Sequence, residues 1–352
     1  MTASIPSTAR SYVLPKLGSF DNLTVVERPV PSLAPGQVLV KVHAVSLQAS
    51  AFRDLAVATG QYFFPGLIKE DLTPCSDMAG EIVAVADDAR QRWSLGDRVC
   101  ANFTPDYQAG EPHPGIITSS LGAPQQGVLA EYVVLPAFGL VKIPDNLSYE
   151  EASTLPCAAV TAYTALQRCG GVKSGETVLV QGTGGVSIFA LQFAVASGAT
   201  VIITSSSDKK LDLATKLGAK HVINYNTTPN WDETVNELTN GRGVDHVIEV
   251  GGPATVARSL KSTRVGGAVH LIGFLAHEYD SNVIPLILGK AIKVEGTWVG
   301  PATMFEAMNR LIATHDVHPV VDTVFPFEDA IDAFKYLESQ AHIGKVVIRV
   351  SN

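Results

Sequence analysis

The sequence predicts an α/β protein in which a doubly wound parallel sheet is joined to a separate β-rich domain, and three observations carry that expectation. The first is a strand, glycine turn, helix and strand in succession at the middle of the chain. A short apolar run at 178–180 suits a buried strand, Gly182, Gly184 and Gly185 form the turn, and Val186, Ala190, Leu191 and Ala194 recur at helical spacing until Gly198. A second apolar run at 199–204 reads as the next strand. The second observation is that strands and helical patterns keep alternating after it, as a parallel sheet requires. The third is a run of short strands before it, over residues 11–145, with no long helix between them.

Taken in order, the runs at 12–14, 23–26, 38–45, 80–86, 97–100 and 130–135 are rich in β-branched residues and partly alternate. Pro29, Pro31, Pro35 with Gly36, and Gly96 punctuate them. They define a compact β domain over residues 1–147. The Pro-, Gly- and Gln-rich stretch 104–127 reads as a surface excursion. At Ser148 the texture changes. Ser148 followed three residues later by Glu151 is a capping-box pattern that opens the second domain, 148–300. Within it, helices at 208–217 and 231–238 alternate with strands at 221–224, 244–250, 268–273 and 292–296. The last segment, 301–352, carries helices at 304–314 and 327–339 and a strand at 345–350, and is expected to return to the first domain.

Composition narrows the function classes. A chain of 352 residues with 46% hydrophobic and 17% charged residues has a sizeable core and room for two domains. A net charge of −8 without a basic block argues against a nucleic-acid or anionic-membrane binder. No stretch approaches ~20 apolar residues and the first ten residues lack an apolar signal core, so a cytoplasmic location is expected. Cys75, Cys100, Cys157 and Cys169 show no paired spacing, which signals free thiols rather than a disulfide framework or a zinc knuckle.

The glycine turn implies nucleotide chemistry. In such a unit the backbone N–H groups at the helix start face a pyrophosphate, which makes Gly182, Thr183, Gly184, Gly185 and Val186 candidate binding residues. The third glycine position is Ser187, still small enough for close helix–strand packing. Which dinucleotide binds turns on the end of the next strand, where NAD enzymes carry a carboxylate about 20 residues past the first glycine. None stands there. Ser205 and Ser206, with Lys209 and Lys210, offer hydroxyls and positive charge to a 2′-phosphate, so NADP(H) is expected. Asp208, a few residues on, keeps NAD(H) open.

These stretches together resemble the medium-chain dehydrogenase/reductase superfamily, in its alcohol dehydrogenase-like and quinone/enoyl reductase branches that lack zinc. The resemblance rests on Pro35-Gly-Gln-Val-Leu-Val-Lys-Val, Ser76-Asp-Met-Ala-Gly-Glu-Ile-Val-Ala-Val, Gly96-Asp-Arg-Val, Ala130-Glu-Tyr, the segment 155–166, the glycine turn, 214–219, Gly243-Val-Asp-His-Val and Gly344-Lys-Val-Val. It spans nearly the whole chain and implies a GroES-like β-rich catalytic domain, a Rossmann domain and a homodimer, with residues 282–288 either a contact or core. Zinc-bearing members carry ligands at positions that fall here near Gln48 or Ala49, at Ser76 and at Cys157. Only Cys157 is a ligand type, and catalytic zinc takes about three protein ligands. No metal is therefore expected, Cys157 being packed or beside the nicotinamide, and His43 and His113 structural or at the surface.

Without a Lewis acid, the chemistry the resemblance implies is conjugate reduction. Hydride goes to an activated C=C bond of an enone, enoyl or quinone, and the developing enolate needs a hydrogen-bond donor and a proton. The resemblance points to Tyr62 as donor, packing over the pocket mouth being the alternative, and to Gln48 as an amide that binds the carbonyl oxygen. An apparent two-residue insertion follows Gln48, and Phe52, where some relatives have Tyr, can stack but cannot donate. The cofactor contacts implied are Thr161, Tyr225, Val250, Gly251, Ile272, Gly273, Phe274, Val299, Gly300 and Lys345, with Lys345 equally readable as a solvated strand-end lysine. Carbonyl reduction without zinc is the alternative within enzymes. A nucleotide-binding protein without turnover is the alternative outside them.

Overall fold

The structure, a computed structural model, describes residues 5–48, 53–62, 68–273 and 283–351. It divides into two compact units, one formed by residues 1–160 with 300–352, the other by 161–299. In chain order the strands are β1 (Thr8–Val13), β2 (Thr24–Pro29), β3 (Gln37–Ser46), β4 (Asp77–Val85), β5 (Arg98–Ala101), β6 (Tyr132–Pro136) and β7 (Leu140–Lys142). There follow β8 (Thr177–Gln181), β9 (Thr200–Ser205), β10 (His221–Asn224), β11 (Val244–Glu249), β12 (Thr263–Leu271), β13 (Lys293–Gly296), β14 (Val321–Pro326) and β15 (Lys345–Arg349).

In the first unit β1 and β2 form an antiparallel ribbon, and the main sheet runs β14-β15-β3-β4-β5-β7 with β6 adding to β3. β3 pairs with β4, β6 and β15, which is why it reads as a nearly continuous apolar run rather than a clean alternation. Val38, Val40, Ile82, Val99, Phe334 and Ile348 meet in one core. The C-terminal segment belongs to this core through β15, where Ile348 lies opposite Val45. Its helix Ala302–His315 is fastened by the Ala302 N–H to Tyr107 O at 2.9 Å and by Asn309 Nδ2 to Lys142 O at 2.9 Å.

Two expectations need correction here. The boundary placed at 147/148 falls at 160/161. The capping box at Ser148 is formed, but the helix it starts, Tyr149–Ala152, belongs to the first unit. Arg349 Nε donates to Glu150 at 2.8 Å and Cys100 Sγ to the Ala152 carbonyl at 3.2 Å, so a helix signal marked an element and not a domain edge. The stretch 104–127 is a surface excursion only in part: residues 109–115 are exposed, whereas Tyr107, Ile116 and Leu121 are buried on either side of them.

The second unit is one parallel sheet in the order β10-β9-β8-β11-β12-β13. All six residues of β11 are buried, as suits a strand covered on both faces. The direction of winding reverses between β8 and β11, the crevice where ligands settle in such sheets. Among the described residues no helix is long and apolar enough to cross a membrane.

Candidate active site

The C-terminal ends of the parallel strands gather most of the residues expected to hold a dinucleotide. After β8 the chain turns at Gly182, whose φ of +70° an L side chain rarely adopts, and Gly184 caps the helix Gly185–Ala196 with no side chain across its first N–H groups. A Cβ built on Gly184 would meet nothing within 4 Å, so backbone and a diphosphate can approach closely. Ser187 fills the third glycine position by donating to the Gln181 carbonyl at 2.6 Å, which satisfies its buried hydroxyl. Across the switch point Gln181 Nε2 donates to Glu249 at 2.7 Å, and Glu249 also accepts from the Gly251 and Gly252 N–H groups at 2.8 and 2.9 Å. The Glu249 carbonyl accepts from Ile272 and Gly273. Gly273 has no alternative there, since an added Cβ would lie 1.8 Å from the Val250 carbonyl oxygen. Gly182, Val250, Gly251, Ile272 and Gly273 thus border one crevice.

At the end of β9 Ser205 is buried 3.4 Å from the Thr183 hydroxyl, whereas Ser206 and Lys209 are exposed and Lys210 half-buried. Tyr225 joins this corner through its N–H to the Ser205 carbonyl at 3.0 Å. Asp208 is engaged by Asn224 Nδ2 at 2.7 Å, and no carboxylate ends the strand itself. The corner is hydroxyl-rich and cationic, which fits a 2′-phosphate. Thr161 and Val299 are the first and last residues of this unit and both are buried. Gly300 and Lys345 belong to the first unit. Phe274 and Phe52 lie outside the described residues.

The first unit holds a buried polar cluster that joins Gln48, Tyr62 and Lys345. Gln48 follows the end of β3 and is fully buried. Its N–H donates to Asp54 Oδ2 at 2.8 Å and its side-chain amide to Asp77, while its Oε1 has no partner among the described residues. Asp77, the first residue of β4, also accepts from Ser76 Oγ at 2.6 Å and from the Cys157 N–H at 2.9 Å. Lys345 opens β15 and is 2% exposed, so it is no solvated strand-end lysine; its ammonium donates to the Leu47 carbonyl. Arg53, also buried, pairs with Asp54 at 3.2 Å, and its guanidinium lies 4.6 and 5.5 Å from the ring centroids of Phe103 and Tyr62.

Two carboxylates and two cations therefore balance inside a fold that solvates none of them, the condition under which buried charge is tolerated. Burial pushes the Asp77 carboxyl up to about 7, with Lys345 pulling against it. Burial raises Asp54 against the pull of Arg53, and lowers Lys345. It also drives the Cys157 thiol far above its ordinary range. Tyr62 is raised by burial against the pull of Arg53, which keeps its phenol a donor. Arg53, Asp54 and Asp77 were not singled out from sequence. The available signal was charge inside apolar runs, Asp77 entering a strand and Arg53-Asp54 preceding Leu55 and Val57. His43 stacks on Tyr149 at 4.2 Å, and His113 is exposed.

Among the described residues, this cluster does not gather the three ligand side chains that a catalytic zinc takes. Beside Asp77 stand an amide and a hydroxyl already engaged by that carboxylate, and a lysine ammonium bonded to a carbonyl. Among the described residues, the gathering of three His, Cys, Asp or Glu ligand atoms lies in the second unit instead.

The comparisons with known proteins agree with this layout. Residues 34–145 match the alcohol dehydrogenase GroES-like domain and residues 185–314 the family described as zinc-binding dehydrogenase. A zinc-type alcohol dehydrogenase-like protein of Schizosaccharomyces pombe is 45% identical over 97% of this chain and 99% of its own. A crotonyl-CoA reductase of Streptomyces avermitilis is 30% identical over 90% of this chain and 80% of its own. Among solved structures, an alcohol dehydrogenase candidate from Sinorhizobium meliloti 1021 superimposes with a TM-score of 0.90 at 37% identity, covering 99% of this chain and 100% of that one.

Proposed function

Because the chain belongs to the medium-chain dehydrogenase/reductase superfamily and is an alcohol dehydrogenase-like NAD(P)-dependent oxidoreductase, we propose that it reduces the activated C=C bond of an enone, enoyl or quinone, with NADPH and without zinc. The observation that carries this reading is the buried ammonium of Lys345, which donates to the Leu47 carbonyl and is drawn by the Asp77 and Asp54 carboxyls. A fixed monovalent cation in this cluster offsets part of their charge. The negative charge of the reaction then falls to hydrogen-bond donors. A carbonyl reduced at its own carbon concentrates that charge on one oxygen, whereas conjugate reduction spreads it over an enolate that a neutral donor can hold.

NADPH, when bound, supplies the hydride. Gly182 to Val186, with Val250, Gly251, Ile272 and Gly273, would hold its diphosphate and nicotinamide half, and Ser205, Ser206, Lys210 and Tyr225 its adenosine 2′-phosphate. Thr161, Val299, Gly300 and Lys345 are the further contacts of this reading. Tyr62 keeps its phenolic proton and is positioned by the Arg53 face, so it donates to the substrate oxygen or passes the proton through water. Gln48, its amide anchored by Asp77, orients the carbonyl.

One feature favours carbonyl reduction as the second reading: burial pushes the Asp77 carboxyl up to about 7, which makes it a proton reserve for an alkoxide near neutral pH. NADPH consumption by chelator-treated protein separates the two. Turnover of a conjugated ketone supports the first reading, and turnover of an unconjugated aldehyde alone overturns it. Assembly is proposed to be a homodimer through the second unit, where Ile284 and Leu288 of the helix Val283–Lys290 are 64% and 75% exposed rather than core. No nucleic-acid or membrane partner is part of this reading, and the proposed location is cytoplasmic.

A further inference from the structure

The far edge of the parallel sheet carries a second cluster that the redox chemistry does not use. His270 on β12 stands opposite Glu295 on β13 in the register of the pair, and Cys169 lies in the turn that follows the helix Val160–Gln167. One ligand atom from each of Cys169, His270 and Glu295 lies within 4.8 Å of the others, and Cys169 Sγ is 2.9 Å from Glu295 Oε2. The other Glu295 oxygen is held by Arg168.

The hydrogen bonds behind His270 decide what it presents to this cluster. His246 Nε2 faces the Glu176 carboxylate at 3.4 Å, so its proton sits on Nε2 and its Nδ1 is an acceptor. That acceptor lies 3.1 Å from His270 Nε2, which must then carry the His270 proton. His270 Nδ1 is left as a bare lone pair, fully buried and without a hydrogen-bond partner among the described residues. A buried nitrogen lone pair with no donor is costly unless something fills it. A histidine whose other nitrogen donates into a chain ending in a carboxylate is the arrangement that orients metal-ligating histidines.

We propose that Cys169, His270 and Glu295 form a zinc-type transition-metal site that pins the edge strand β13 to β12 and to the turn after the helix Val160–Gln167. A thiolate, an imidazole and a carboxylate make a donor set suited to Zn²⁺ in tetrahedral geometry, with water as fourth ligand. Ligand bonds of about 2.0–2.3 Å bridge a cluster of this spread after small side-chain rotations. On binding, the Cys169 thiol gives its proton to solvent and Sγ bonds the ion. The thiolate and carboxylate together offset the charge of the ion, and Arg168, which remains on the other carboxylate oxygen of Glu295, leaves the cluster with one positive charge in excess. The site lies within the second unit and is independent of the catalytic reading.

The test is Co²⁺ titration of the purified full-length chain after chelation and desalting, followed by absorption. The expected result is one Co²⁺ per chain with a thiolate-to-cobalt band in the near ultraviolet. Cys169→Ser should abolish the band, and Cys157→Ser should leave it intact. Cys169→Ser exchanges one atom in a half-buried turn, so the test stands even if a His270→Gln chain fails to fold. His246→Phe removes only the positioning residue and should weaken Co²⁺ binding roughly 10–100-fold while keeping the band. Zn²⁺ should raise the Tm of the parent chain and not that of Cys169→Ser. No thiolate band in the parent chain, or a band lost in Cys157→Ser and kept in Cys169→Ser, overturns the proposal.

Discussion

The backbone N–H of Cys157 donates to a carboxylate oxygen of Asp77 at 2.9 Å, across 80 residues of sequence. That bond fastens the turn of helix Leu155–Ala159 to the start of β4 and brings one of the expected zinc-ligand positions against a buried acid. With Ser76, Gln48 and Lys345 around it, Asp77 is the hub of the first unit's polar cluster.

Its pH dependence follows from burial. The folded pKa of about 7 stands above the ordinary 3.8, so the folded chain holds the proton more tightly than the unfolded one. Stability from this group is therefore greatest below about pH 4 and is lost as pH rises toward 7, by on the order of a few kcal/mol. Urea unfolding at pH 5 and pH 7.5 should show the parent chain losing stability relative to Asp77→Asn over that interval. Parallel behaviour of the two chains would exclude a raised Asp77.

Lys345→Met should destabilise the first unit by roughly 1–3 kcal/mol, because it leaves the buried Leu47 carbonyl without its donor and Asp77 without the cation that pulls on it. Adding Asp77→Asn to the same chain should recover part of the loss, since the stranded charge is then removed as well. Thermal unfolding of the single and double variants reads this directly. Additive losses would mean that the two residues do not compensate each other.

Tyr62→Phe keeps the ring against Arg53 and removes only the phenolic donor. Turnover with a conjugated acceptor should fall by roughly 10²–10⁴-fold with the Kd for NADPH unchanged. Unaltered turnover would reduce Tyr62 to packing against Val57 and Leu72.

Lys209→Ala with Lys210→Ala should weaken NADPH by roughly tenfold or more, about 1.4 kcal/mol, and leave NADH nearly unaffected. Equal losses for both nucleotides would remove the 2′-phosphate reading of the corner formed by Ser205, Ser206 and Tyr225.

The sheet was legible because its information is local. Apolar runs at 178–180 and 244–250 followed by glycines specify buried strands and their turns without reference to anything distant, and Ser187 is tolerated through a bond to its own neighbour Gln181. The helix Val256–Ser262 was not placed, since it is short and its Ser259 and Ser262 are buried through bonds to Glu249 and to a carbonyl one turn back. The buried polar cluster of the first unit was legible only in part. Gln48 and Tyr62 came from motif position, but the reason Gln48 is held, a carboxylate 29 residues on, is a tertiary fact. Lys345 looked ambiguous because a lysine opening a strand is ordinarily solvated, and only the packing of β15 on β3 buries it. The His246–His270 relay leaves no trace in spacing, since it depends on adjacent parallel strands.

The most direct test of the central claim is where the hydride lands. NADPH deuterated at C4 of the nicotinamide ring, incubated with the protein and a conjugated ketone, should yield a product carrying deuterium on the carbon β to an intact carbonyl, as read by NMR. Deuterium on a carbinol carbon instead would contradict the account and establish carbonyl reduction.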